Sequence, residues 1–513
     1  MNHDQPQSEV SEARTRLAAN TLTPIVVNMT SILISIVTIP LLLTGLGAEA
    51  FGLWALLQGF SAITGWLSIF DFGLTVGSTR AISRKVGEND EEAVDRLAST
   101  TLTLFLYLAI LAAIFAIAIG TTLPAISIFA TIDQISSLTT IILLTGFQGS
   151  FDLLSRGVVA SLDGLQRVDL SRVSDWIRRT SFLLASGLTA IQTGSLNQTL
   201  VAGLISSFIT TILQLIILVR MRRMAVLRPT IVEFKQLAQE ARSVGLLRPL
   251  GVLNRTMDKF ILGSISGLSS VATLEVSNSL QTGANALVSA TTDAVSTTTS
   301  FLYGARHFEQ IRNISLRMTR LSIMLCGPLV TLLTIAPRPI LQIWLGSNIP
   351  VNAVIFTRLA CLALFISLLT TVFSNTIVGS GNATSIVQIN AIATGINLAL
   401  SIVFAVVLGP VGVLVGTVLG ASVKTSLVLR KAKHLMAFTY LEIVRSCWMK
   451  GLAPSIIMAG FLLLSSQNKS PGLFNFGILI ALLIAIILSA ISISLSHDER
   501  AMLFDKLFGD KRR

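Results

Sequence analysis

Residues 101–120 read TLTLFLYLAILAAIFAIAIG, twenty positions without a charged side chain. At about 1.5 Å of rise per residue, such a run makes a helix of about 30 Å, the thickness of a bilayer's hydrocarbon core. Comparable runs recur along the chain, among them VAGLISSFITTILQLIILV at 201–219. The whole sequence of 513 residues is 52% hydrophobic and only 12% charged, about half the charge of an average soluble domain. An outer-membrane barrel would show short segments of alternating hydrophobicity instead. Continuous apolar runs predict an all-α integral membrane fold.

About fourteen transmembrane helices are expected, near 18–45, 51–79, 97–123, 136–161, 173–193, 197–219, 246–267, 274–303, 316–344, 353–379, 385–408, 410–431, 450–466 and 472–496. No small-residue cleavage site follows the first apolar run, so that run is read as a retained helix and not a signal peptide. The fifth, seventh and eighth spans are the least hydrophobic. The eighth carries Thr291, Thr292, Asp293, Thr297, Thr298 and Thr299 and is too polar to face lipid, so it should line an interior.

The net charge of +12 does not point to nucleic acid, because the basic residues sit in short loops between apolar segments. They fall in the N-tail, in the loops after spans 2, 4, 6, 8 and 12, and in the C-tail. The exceptions are Arg255, Lys259, Arg338, Arg358, Lys424 and Lys469. By the positive-inside rule this asymmetry puts both termini in the cytoplasm of a bacterial cell, with a multi-pass protein in its inner membrane.

The longest connection, 220–245, contains Thr230 followed by Glu233, the pattern of a capping box. Ile231, Phe234, Leu237 and Ala241 then share one helical face, which predicts a basic amphipathic helix on the inner membrane surface. The expected organisation is an N-lobe over 1–219 (helices 1–6), this cytoplasmic linker over 220–245, a C-lobe over 246–435 (helices 7–12), and helices 13–14 with a cytoplasmic tail over 436–513. Residues 42–84 laid on 264–306 without gaps give eight identities, including Gly45 with Gly267, Asp71 with Asp293, Ser78 with Ser300 and Arg84 with Arg306. Both halves begin on the same side, so the two six-helix lobes are read as a parallel repeat.

No nucleotide-binding loop, zinc-peptidase motif or nucleophile elbow is present, and Cys326, Cys361 and Cys447 have no metal spacing. No cofactor, metal or catalytic residue is expected. The external loops are short and nearly uncharged, which favours transport over chemistry. The strongest candidate site is in PLGVLNRTMDKFILG, where Arg255, Asp258 and Lys259 share a face at i, i+3 and i+4. Such charges near mid-membrane must face a polar interior. Two bases against one acid suggest a place for an anionic group, and a self-neutralising Arg–Asp pair is the bland alternative. Lys424 in helix 12 and Asn28 in helix 1 complete the candidate substrate-binding set. Asp71 and Asp293, at equivalent repeat positions, are candidate coupling carboxylates; capping or pairing with a nearby arginine such as Arg80 is the alternative. Trp54 and Gln58 suit either sugar contact or core packing, and Pro40 should kink the first helix.

LLLTGLGAEAFGLWALLQGF (41–60), LSIFDFGLTVGSTRAISR (67–84), MDKFILGSISGLSSVATLEVSNSL (257–280) and INLALSIVFAVVLGPVGVLVGTVLGASV (396–423) resemble the Wzx-type polysaccharide flippases of the multidrug/oligosaccharidyl-lipid/polysaccharide exporter superfamily. The resemblance spans essentially the whole chain. It implies a two-lobed transporter that alternates access around a cationic lumen. It implies as cargo an undecaprenyl-diphosphate-linked oligosaccharide with an anionic head group, moved outward for lipopolysaccharide or exopolysaccharide synthesis. Membrane lipid, and H+ or Na+ as coupling ion, are the other expected partners. Leu274 and Glu275 stand where relatives often have aromatics. The rival readings are a cation or drug antiporter of the same superfamily, a lipid II flippase and, from a different class, a membrane glycan polymerase.

Overall fold

The computed structural model describes residues 7–61, 65–122, 138–221, 231–245, 247–436 and 438–465. Among these residues the regular structure is helical throughout, as the apolar runs require. In lipid every backbone N–H and C=O must find its partner within the segment, and an α-helix does that locally. Thirteen of the fourteen expected spans coincide with helical structure among the described residues; the fourteenth, at 472–496, lies outside them, as does the C-terminal tail. Seven described helices are long and apolar enough to cross a membrane alone, or eight when one bent pair counts as a single span. The helices fall into two compact units, residues 1–275 and 276–513.

The first unit begins with α1 (Gln7–Leu57), whose helical path is broken at Gly47 with φ 77 and ψ 169. A side chain rarely adopts that φ, so glycine sets the break there. The break lies seven residues past Pro40, the residue expected to bend this helix. The second expected span is correspondingly no single rod. It continues as 3-10 turns at Gln58–Phe60 and Trp66–Asp71, then turns at left-handed Phe72 and Gly73 (φ 44 and 83) into α2 (Leu74–Gly87). The DFGL segment, expected toward the inner end of the second span, is therefore a helix start.

Then come α3 (Glu91–Thr122), α4 (Leu138–Gly164), α5 (Val168–Thr193) and α6 (Leu196–Met221). Lipid tails are as apolar as leucine, so these helices are held by close approach and by hydrogen bonds more than by the hydrophobic effect. Thr79 Oγ1 donates to the Ala160 carbonyl at 3.2 Å and Ser83 Oγ to that of Gly164 at 3.1 Å, joining α2 to α4. Ser155 Oγ meets Gln214 Oε1 at 2.5 Å, joining α4 to α6.

The linker helix α7 (Ile231–Gly245) forms as its pattern predicts, with part of its apolar face packed on protein and Phe234 of that face exposed. Leu237 and Ala241 are buried, and Leu237 joins Ala81, Ile82, Val94, Leu97 and Ala98 in one cluster on α2 and α3. Gly77 makes the approach possible: a Cβ there would lie 2.8 Å from the Ala241 amide nitrogen. Arg84–Glu240 at 2.5 Å and Arg96–Glu233 at 3.6 Å frame the contact. The neighbouring helices thus offer this side of α7 matched apolar and charged partners. The unit closes with α8 (Leu247–Ser266), where Phe260 packs edge-on against Phe60 and Trp66.

The helix α9 (Leu268–Gly304) runs on into the second unit, which holds α10 (Phe308–Ile335), α11 (Pro337–Leu345), α12 (Ala353–Leu368), α13 (Thr371–Gly379), α14 (Ala383–Leu408), α15 (Pro410–Met436), α16 (Tyr440–Ile443) and α17 (Met449–Ser465). Its glycine-rich helix has a direct reading. Gly412, Gly416 and Gly420 lie one turn apart and meet Phe404, Ser401 and Asn397 of α14, which brings the two backbones together. The tenth span is broken by a 45° bend between α12 and α13. Thr425 Oγ1 and Trp448 Nε1 cover the Ile366 and Leu369 carbonyls at the bend, at 3.1 and 3.4 Å.

If α7 is docked on α2, Gly77→Leu should pry it away and speed trypsin cleavage at Lys235 about tenfold in membranes, while cutting elsewhere is unchanged. Equal cleavage of both proteins would contradict the docking.

Candidate functional site

On α8, Lys259 does not stand free. Its Nζ lies 2.6 Å from Glu275 Oε2 of α9 and 3.3 Å from the Ala55 carbonyl of α1. Asp258 is half-buried on the same helix. The side chains of Arg255, Asn28 and Asp293 lie outside the described residues; their backbones are helical, on α8, α1 and α9. Glu275 changes the charge balance inferred from sequence. Arg255, Asp258 and Lys259 counted alone carry an excess of one positive charge; with Glu275 they are neutral. The pair spans sixteen positions and two helices, so no i, i+4 pattern could reveal it.

Lys424 differs. Half-buried on α15, it meets no hydrogen-bond or ion-pair partner among the described residues. Trp54 belongs to the core: it is buried, and its ring stacks with Phe51 at 5.9 Å and Phe182 at 6.3 Å.

Asp71, fully buried, ends the 3-10 turn before α2. Its Oδ1 accepts from the Thr75 amide at 2.8 Å, its Oδ2 accepts from Thr75 Oγ1 at 2.7 Å, and Arg156 Nη1 lies 3.6 Å from Oδ2. This satisfies an orphan donor at the start of a helix and places a negative charge at its positive end. Asp293, its repeat partner, is instead in the middle of the continuous α9, so the two positions differ in backbone structure.

The largest charged assembly in the first unit went unread in the sequence. Arg178 of α5 bonds Asp152 Oδ1 of α4 at 2.5 Å and Asp175 Oδ1 at 3.1 Å, and both Arg178 and Asp152 are nearly inaccessible. Arg179 pairs with Asp175 at 2.7 Å and Arg172 with Asp163 at 3.5 Å. Arg172, Arg178, Arg179, Asp163 and Asp175 line, with Arg80 and Arg156, a cavity of about 460 Å³ between α2, α4 and α5. The signal was present: Asp175, Arg178 and Arg179 repeat the i, i+3, i+4 spacing singled out on α8, in an expected span noted for weak hydrophobicity. Counting those arginines as loop charges hid it. Among the described residues, no group of three or more His, Cys, Asp or Glu is placed to hold a metal ion.

Comparison with known proteins adds the family and the fold. The family model described as "Polysaccharide biosynthesis protein" matches residues 17–297, and the MatE model matches 252–403. A search of curated proteins finds no match. Among solved structures, the lipid II flippase MurJ in an inward closed conformation aligns with a TM-score of 0.66 at 16% identity, over 93% of this chain and 98% of that one. A multidrug resistance MATE family transporter of the MOP superfamily aligns in its inward-facing conformation with a TM-score of 0.63 at 18% identity, over 81% and 98%. An outward-facing MATE transporter aligns with 0.58 at 16% identity, over 82% and 95%. The fold is that of these MOP-superfamily membrane proteins.

Breaking a buried pair strands a charge, a loss of about 3–5 kcal/mol. Arg178→Gln or Asp152→Asn should therefore lower the thermal midpoint of the detergent-purified protein by several degrees, and an Arg178→Met/Asp152→Leu double variant should regain part of the loss. Midpoints unchanged in both single variants would mean that the pair does not hold α4 to α5.

Proposed function

The chain belongs to the polysaccharide biosynthesis protein family, and from that premise we propose that it is a flippase for an undecaprenyl-diphosphate-linked oligosaccharide. The cargo is moved from the cytoplasmic to the outer face of the bacterial inner membrane, in lipopolysaccharide or exopolysaccharide synthesis. The family match over residues 17–297, more than half of the chain, carries this reading. The fold shared with a lipid II flippase supports it.

The physical task explains the design. A diphosphate and its sugars are charged or strongly hydrated and cannot enter hydrocarbon, whereas the polyprenyl tail belongs there. Alternating access lets the head group cross among polar side chains while the tail stays in lipid. A ligand can drive that alternation only through its different affinity for the two states. The cations proposed to meet the head group are Arg255 on α8 and Lys424 on α15. Lys259, tied to Glu275, is proposed to hold its helix in place, with Asp258 orienting Arg255 and Asn28 contributing a hydrogen bond. Asp71 and Asp293 are the proposed coupling carboxylates, with H+ or Na+ as the driving ion.

A second reading, a cation or drug antiporter, is favoured by the MatE match over residues 252–403. It requires acids, and not bases, to bind the cargo.

The readings separate in a strain whose own flippase is deleted. Arg255→Ala and Lys424→Ala should each cut surface polysaccharide by about tenfold or more, the effect of losing about 1.4 kcal/mol of head-group stabilisation, at normal protein level in the membrane. Lys259→Ala/Glu275→Ala should export better than Lys259→Ala alone, because the double variant leaves no stranded carboxylate. Normal export by both Arg255→Ala and Lys424→Ala would reject the cationic path.

A further inference from the structure

The cavity between α2, α4 and α5 is lined by five guanidinium groups from three helices: Arg80, Arg156, Arg172, Arg178 and Arg179. Asp71, Asp163, Asp152 and Asp175 pair with Arg156, Arg172, Arg178 and Arg179. One feature distinguishes this arrangement from a network that only neutralises itself: the lining carries five guanidinium groups and two carboxylates, Asp163 and Asp175, around about 460 Å³ of open space.

We propose that this cavity is a binding site for a phosphoryl group. Guanidinium forks match the geometry of phosphate oxygens and stay charged at every physiological pH. Arg172 and Arg179 are roughly half exposed, at 43% and 49%, while Arg156 and Arg178 are at 15% and 4%. Charge thus grades from an accessible rim to a desolvated floor, the arrangement that draws an anion in and then holds it. The site lies wholly within the first unit. The shared chemistry is a phosphate mono- or diester dianion or monoanion, supplied either by the head group of an anionic bilayer lipid or by a soluble phosphate. The inference does not depend on what the protein transports.

The test uses the full-length protein in two arms. In the first, calorimetry in detergent at constant ionic strength measures inorganic phosphate binding. In the second, native mass spectrometry measures retention of phosphatidate against phosphatidylcholine from mixed nanodiscs. The variant is Arg172→Gln/Arg179→Gln, chosen because both side chains sit at the exposed rim; an unchanged thermal midpoint checks that it folds. The expected result is binding in at least one arm, weakened about tenfold in the variant. Phosphatidate retained and displaced by phosphate assigns a lipid source. Phosphate bound with no phosphatidate preference assigns a soluble one. Absence of binding in both arms, or binding that is the same in the folded variant, overturns the proposal.

Discussion

Hydrocarbon cannot hydrogen-bond, so each polar group carried into the membrane must find its partner inside the protein. That constraint accounts for the helices and, more tellingly, for the places where helices fail. Where the second span breaks, Asp71 caps the Thr75 amide. Where the tenth span bends, Thr425 and Trp448 cover the freed carbonyls. The same rule governs charge: Arg178 sits against two aspartates, and Lys259 against a glutamate and a carbonyl. Broken backbone and buried charge are expensive in lipid, and in each of these cases the cost is offset by a named partner.

How far this could be read in advance follows from the range of each interaction. Spans were legible because twenty apolar residues in a row have one physical meaning, and the α7 helix because its cap and its face are local patterns. What covers that face was not legible, since Gly77 and Leu237 are 160 positions apart. The break at Gly47 was not legible, because a positive φ at glycine leaves no mark in the sequence. Glu275 was noticed only for its departure from an aromatic pattern, and its role as the counter-ion of Lys259 required the fold. The Asp175–Arg178–Arg179 spacing was visible but was absorbed into a count of loop charges.

These contacts also reorder the candidate residues. Arg255, Asp258 and Lys259 make α8 basic on their own, yet with Glu275 the set is neutral, and a charge excess does not argue for an anionic cargo there. The reading of an anionic lipid-linked saccharide now leans on family membership and on Lys424, which meets no partner among the described residues. Asp71 likewise has an evident structural task as a helix cap, which any coupling role must share.

The central claim is that a polar, phosphate-bearing head group crosses while its lipid tail remains in the bilayer. The direct measurement is translocation in vesicles reconstituted with the purified protein and a fluorescent undecaprenyl-diphosphate oligosaccharide, followed by quenching from the outside. The account predicts that the protein equilibrates the label across the bilayer, and that Arg255→Ala slows this equilibration while the protein is incorporated normally. Label that stays protected at the rate of protein-free vesicles, alongside efflux of an organic cation from the same vesicles, would contradict it.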